Sequence, residues 1–246
     1  MKIATILALI AAVFMLQAGN PFDNKTFVIM GDSSTTPTRS WAGIIKERYL
    51  PESCTVINTA VNGSAWEVFG TKRRASIMQQ WEQAKQLLQR QKKHADIIII
   101  TTGGNKLPDS RFSYKDVLAL CGSDNAKLED EQLKAAITTL KKIVEDHPES
   151  EIYLISNFYA KSSPEKDSLR LIYRDQLAAL CDYYSCHLID LTRNSGIRGR
   201  LELQADKRIF TTDRIHAYSE KGKERIARLV FAAISRDFPM PAKSKK

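Results

Sequence analysis

Five short apolar runs, each separated from the next by a stretch with helical spacing, constrain this chain more than any other feature. The runs are TFVIMG (26–31), CTVINTA (54–60), ADIIIITTG (95–103), EIYLIS (151–156) and CHLIDL (186–191). They are rich in β-branched residues and almost continuously apolar. A strand with one solvated face would alternate with polar residues, so these runs fit strands covered on both faces. Between them, Ile77, Met78, Trp81, Ala84 and Leu88 share one face of a helix, and Leu133, Ile137, Leu140 and Val144 share one face of another. Further helices are expected over 165–184, with Leu177, Leu180 and Tyr184 apolar, and over 219–236, with Ile226, Val230, Ala233 and Ile234. Strands alternating with helices give parallel β-α-β units. The expected fold class is therefore α/β, a three-layer α/β/α sandwich around a central parallel sheet of about five strands.

That architecture already locates a ligand. In open parallel sheets, ligands bind beyond the carboxyl ends of the strands, where the connecting loops converge. The loops of interest follow residues 31, 60, 103, 156 and 191. The longest irregular stretch, 103–130, is expected to hold a short helix and to overhang the site, because long loops in compact domains tend to be functional.

A chain of 246 residues, 43% hydrophobic and 26% charged, is long enough for one globular domain with a substantial core. The first 19 residues read differently. Lys2 opens an uncharged run from Ile3 to Leu16, and LQAGN then offers small residues suited to cleavage. The run is shorter than the roughly 20 residues that span a bilayer. Residues 1–19 are expected to be a cleaved signal peptide and 20–246 a single domain with a short basic tail, secreted or periplasmic, with no stable membrane insertion after cleavage. The formal charge of +9 would suit acidic partners. Its lysines and arginines are scattered through TKRR, QRQKKH, LKK and AKSKK, mostly beside helical patterns, which points to a solvated face and away from nucleic acid.

Cys54, Cys121, Cys181 and Cys186 form no paired CxxC pattern, so no metal is expected. In an oxidising compartment they could form two disulfides, with Cys181–Cys186 the preferred pair. Free buried thiols are the alternative.

A serine nucleophile needs a base, a group that orients the base, and donors for the oxyanion. Ser33 follows the first strand in GDSSTT. Of the four histidines, His94 and His147 lie at helix ends and His187 begins a strand; only His216 has an aspartate, Asp213, three residues before it, in a loop ahead of the last helix. Gly63 ends the second strand's loop, where its backbone N–H can approach a ligand closely. Asn105, after the third strand, has an amide that can donate to an anion. Each of these has an ordinary reading as a turn or cap residue.

Together, Gly31-Asp32-Ser33, Gly63, Gly103-Gly104-Asn105 and Asp213-x-x-His216, in this order, resemble the four signature blocks of the SGNH/GDSL hydrolase superfamily across nearly the whole mature chain. The resemblance implies a flavodoxin-like fold and ester hydrolysis without metal or organic cofactor. It implies Ser33 as nucleophile, His216 as general acid/base and Asp213 as its orienting carboxylate. The oxyanion hole would be the N–H groups of Ser33 and Gly63 with the Asn105 side chain. Ser34 and Lys106 depart from the pattern, where an aliphatic residue and an aspartate are common.

Asp32, Arg39, Trp66, Lys106, Phe158 and Tyr159, with Trp41, are the expected substrate-lining residues. Aromatic faces beside cations suit a sugar-bearing ester, although either tryptophan could instead belong to the core. The expectation is a carbohydrate O-acetylesterase acting on a small or polymeric ester. The alternatives are a lysophospholipase-type acyl hydrolase and a non-catalytic carbohydrate-binding protein on the same fold.

Overall fold

Residue alternation along the first strand sets up the layers. β1 (Thr26–Gly31) is buried throughout, with Val28 and Met30 on one side and Phe27 and Ile29 on the other. The computed structural model describes residues 20–68, 74–102, 104–124, 127–158, 164–205, 208–213 and 216–238. Residues 1–19, expected to be a signal peptide, Gly103, Tyr159 and residues 239–246 of the basic tail lie outside them.

Four more strands join β1: β2 (Thr55–Asn58), β3 (Ile97–Thr101), β4 (Glu151–Ser156) and β5 (His187–Asp190). All pairs are parallel, in the order β2-β1-β3-β4-β5. The register places Ile98 and Ile100 beside Val28 and Met30, and Ile97 and Ile99 beside Phe27 and Ile29. Each face therefore presents a continuous isoleucine-rich surface that must be covered.

In chain order the helices are α1 (Trp41–Ile44), continued by a π-helical turn (Ile45–Tyr49), α2 (Ile77–Gln91), α3 (Tyr114–Cys121), α4 (Glu131–Asp146), α5 (Pro164–Tyr184), α6 (Leu191–Asn194), α7 (Gly199–Gln204) and α8 (Glu220–Asp237). Helices α2 to α5 cover one face of the sheet through Trp81, Leu88, Val117, Leu140 and Leu177. Helices α1 and α8 cover the other through Trp41, Ile45, Ile226 and Val230. Helix starts follow local chemistry. Ser76 and Ser113 form reciprocal capping boxes with Gln79 and Asp116, while Asp130 and Ser219 accept from the amides of Leu133 and Gly222.

Two expectations are corrected here. The loop after residue 191 was expected to border the ligand, but β5 runs directly into α6. Asp190 accepts from the Arg193 amide at 3.0 Å and from Arg174 Nε at 2.8 Å, which ties that strand end to helices. The preferred Cys181–Cys186 disulfide is absent, and all four cysteines are free thiols. Cys181 packs in the apolar core, and burial pushes the Cys186 thiol up to about 12.

Candidate active site

Ser33 stands just beyond β1, at the position where strand order reverses between β2 and β3 on either side of β1. The preceding turn is held rigidly. Gln80 of α2 is 0% exposed and grips Gly31 from both sides, accepting from its amide at 2.8 Å and donating to its carbonyl at 3.1 Å. Gly31 has no room for a side chain, since a Cβ there would lie 2.4 Å from the Thr101 carbonyl oxygen.

Ser33 Oγ lies 2.8 Å from His216 Nε2, and His216 Nδ1 lies 2.6 Å from Asp213 Oδ2. Asp213 Oδ1 also accepts the His216 amide at 2.7 Å, so one carboxylate holds both the ring and the backbone of the histidine. This bonding assigns the proton to Nδ1 and leaves Nε2 to accept from the serine hydroxyl. The other histidines are engaged elsewhere. His147 is the C-cap residue of α4 and pairs with His94 through their Nδ1 atoms at 3.0 Å, and His187 Nε2 meets Glu151 at 2.8 Å.

Beneath the serine, Asp32 is 1% exposed. It accepts from the Ser34 amide at 2.9 Å, the Ser34 hydroxyl at 2.6 Å, the Gly104 amide at 3.3 Å and Asn105 Nδ2 at 3.4 Å. Burial pushes its carboxyl up, while the Ser34 and Gly104 donors and His216 pull the other way. Among the described residues four donors and no acceptor face it, the pattern that an ionised carboxylate requires. Asp32 therefore fastens the loop after β1 to the loop after β3. Asp32→Asn turns an NH2 group toward N–H donors. We expect it to cost about 1–3 kcal/mol of stability. An unchanged melting curve would show that the carboxylate does not hold these loops.

Asn105 Nδ2 also donates to the Ser64 carbonyl at 2.9 Å, which brings the loop after β2 against the loop after β3. Its 3.4 Å bond to Asp32 is at the long end of hydrogen-bond range, so that hydrogen is the one an anion can take. Gly63 precedes Ser64 with φ +81°, a left-handed conformation, and the Arg74 side chain lies where a Cβ would project.

A cavity of about 280 Å³ opens over Ser33 and His216. Its lining includes Asp32, Asn105, Asn157, Phe158 and Arg170. The larger groove, about 890 Å³, contains Lys106, Asp109 and Arg111 but neither Ser33 nor His216. Of the expected lining residues, Asp32 and Phe158 thus reach the cavity and Lys106 lies in the neighbouring groove. Arg39 is exposed and absent from the cavity wall, and Tyr159 lies outside the described residues. Trp66 requires a correction. It is 0% exposed, with Nε1 donating to the Tyr173 hydroxyl at 2.9 Å, because the turn after Gly63 folds its indole under α5. Trp41 is likewise a core residue on the opposite face.

Sequence reasoning missed Gln80, Arg170, Asn157 and Tyr218. Gln80 carried a signal, as a polar residue next to Trp81 on the apolar side of α2. Tyr218 stacks on His216, with ring centroids 4.5 Å apart and planes at 8°, and its hydroxyl donates to the Ser33 carbonyl at 2.5 Å.

No protein-family model and no curated protein matches this sequence. Solved structures do match. A lipase/acylhydrolase from Enterococcus faecalis is 15% identical, over 89% of this chain and 100% of that one, with a TM-score of 0.54. The acetyl xylan esterase AlAXEase is 15% identical, over 85% and 99%, at 0.53. A GDSL-like lipase from Bacteroides uniformis is 16% identical, over 86% and 96%, at 0.51. With five parallel strands in the order β2-β1-β3-β4-β5 and nearly the full length of these structures matched, the chain has the SGNH/GDSL hydrolase fold.

Proposed function

We propose that this chain is an exported serine esterase that removes short acyl groups, acetyl foremost, from carbohydrate. The observation that carries the reading is the 2.8 Å contact of Ser33 Oγ with His216 Nε2, backed by Asp213 at 2.6 Å. In this mechanism His216 takes the Ser33 proton as Oγ attacks the ester carbonyl. The oxyanion is received by the N–H groups of Ser33 and Gly63 and by the Asn105 amide, which leaves its long bond to Asp32. His216 then protonates the departing alcohol. Water cleaves the acyl-enzyme by the same route, returning the proton to Ser33 through His216.

The size and polarity of the cavity support a short acyl group. Phe158 is the only large apolar residue in the wall over Ser33 among the described residues, which is poor lining for a long alkyl chain. Among the described residues no helix is long and apolar enough to cross a membrane, and the export part of the reading rests on residues 1–19 of the sequence. The acetyl xylan esterase among the structural neighbours supports the carbohydrate part by analogy of fold. The test compares 4-nitrophenyl acetate with the decanoate, followed by a panel of acetylated glycans. Faster cleavage of the decanoate would replace this reading with a lipid acyl hydrolase, and failure of Ser33 to react with a fluorophosphonate would replace it with a binding protein.

Arg170 brings a guanidinium into the cavity wall, half-buried, with Nη1 3.5 Å from the Phe158 carbonyl. Esters that carry a carboxylate are expected to gain from it. Arg170→Gln should lower kcat/KM about tenfold for 4-nitrophenyl hemisuccinate or an acetylated methyl glucuronide, and no more than about twofold for the neutral acetate. The two anionic esters report whether the charge is read on the acyl or the alcohol side. Equal losses on all three would remove Arg170 from substrate selection.

A further inference from the structure

Tyr218 is two residues beyond His216, yet it contacts both halves of the site. Its ring lies face to face with the imidazole, and its hydroxyl reaches across 185 positions of sequence to the Ser33 carbonyl. A ring in this position does more than fill space. During acylation His216 becomes an imidazolium, and a cation over an aromatic face is attracted by the ring quadrupole. The hydroxyl tether meanwhile fixes the peptide of the nucleophile itself, so that the serine and its base are held by one side chain.

We propose that Tyr218 is a positioning residue of this site, steadying the His216 imidazolium with its ring face and the Ser33 turn with its hydroxyl. The inference rests on the reading of Ser33 and His216 as nucleophile and base. Burial pushes the Tyr218 hydroxyl up from its ordinary value, so it stays a donor at working pH. Among the described residues, the other charged groups near the imidazole are Asp213 in its own loop, Asp32 beneath the serine and Arg170 in the wall contributed by α5, with Arg39 acting on Tyr218 from the segment before α1. None of these is altered in a Tyr218 variant, so a change in His216 titration isolates the ring.

Two substitutions separate the contacts. Tyr218→Phe keeps the stack and loses the tether to Ser33; Tyr218→Leu loses both. With 4-nitrophenyl acetate we expect kcat to fall about threefold in Y218F and about tenfold in Y218L, with KM within about twofold of the parent. The acidic limb of kcat/KM should move to lower pH in Y218L and stay in place in Y218F, because only the former strips the ring from the charged imidazole. The rate of fluorophosphonate labelling at Ser33 should follow the same order. The imidazole proton resonance of His216, identified by its loss in His216→Asn, should titrate lower in Y218L whether or not an ester is turned over. A Y218L protein with unchanged titration and labelling rate overturns the proposal, as does a Y218F protein whose limb moves as far as that of Y218L. Should Y218L fail to fold, Tyr218→Met, similar in volume and without an aromatic face, takes its place. A parent protein that neither cleaves esters nor reacts with the fluorophosphonate sinks the esterase reading instead, while the His216 titration still decides the role of Tyr218.

Discussion

A Ser33→Ala protein is expected to lose roughly a thousandfold or more in kcat/KM for 4-nitrophenyl acetate while its melting curve stays close to that of the parent. The hydroxyl is half-buried and its bond within the site is to His216 Nε2, so its removal takes away the attacking atom without opening the core. His216→Ala should cost as much, because serine without a base is a poor nucleophile. Asp213→Asn should cost somewhat less, since it leaves a group of the same shape that can hold the ring in the wrong tautomer. The double variant of Ser33 and His216 should be little worse than either alone, since the pair acts as a unit. Rate should rise with pH through the range in which imidazole gives up its proton. A Ser33→Ala protein with its esterase activity intact would mean that another group attacks, and a flat profile from acidic to neutral pH would remove His216 from the role of base.

Trp66→Ala is expected to destabilise the protein by about 3–5 kcal/mol, the range for truncating a fully buried large aromatic. For a chain of this size that corresponds to a melting temperature lower by on the order of 10 °C. The indole is 0% exposed, packs among Ile77, Val117 and Tyr173 in the core beneath α2 to α5, and donates to the Tyr173 hydroxyl. That hydroxyl also meets Thr102 Oγ1 at 3.4 Å, two residues before Gly104. Loss of the indole should therefore lower turnover as well as stability. Trp66→Phe restores most of the volume without the N–H, and should recover most of the stability while leaving a residual deficit of about 1 kcal/mol. A calorimetric melting temperature unchanged in Trp66→Ala would place this side chain outside the core.

The strands were legible because burial on both faces leaves no room for polar residues. Residues 26–31 and 151–156 match β1 and β4 residue for residue. The run at 54–60 shortens to Thr55–Asn58 because β2 is an edge strand, where half-buried positions relax the pattern. α1 gave no usable signal, since a single turn passing into a π-helix has too few positions to show a period. In the site, Asp213 and His216 could be read together because their contact is local, within three residues. Tyr218 and Arg170 could not be read, because what makes them matter is the approach of distant segments. Trp66 was misjudged for the same reason. Its hydrogen-bonding partner is 107 residues away, and nothing near Trp66 announces it.

The serine and the imidazole that meets it are 183 residues apart, so synthesis from the amino end makes the first well before the second. Between those two moments a growing chain carries the hydroxyl without the imidazole that meets it in the folded protein. A fragment ending before Asp213 cannot form the pair, since it lacks the ring at 216 altogether. The pair forms only when the segment carrying His216 docks beside the end of the first strand, so whatever chemistry it performs waits on that long-range contact.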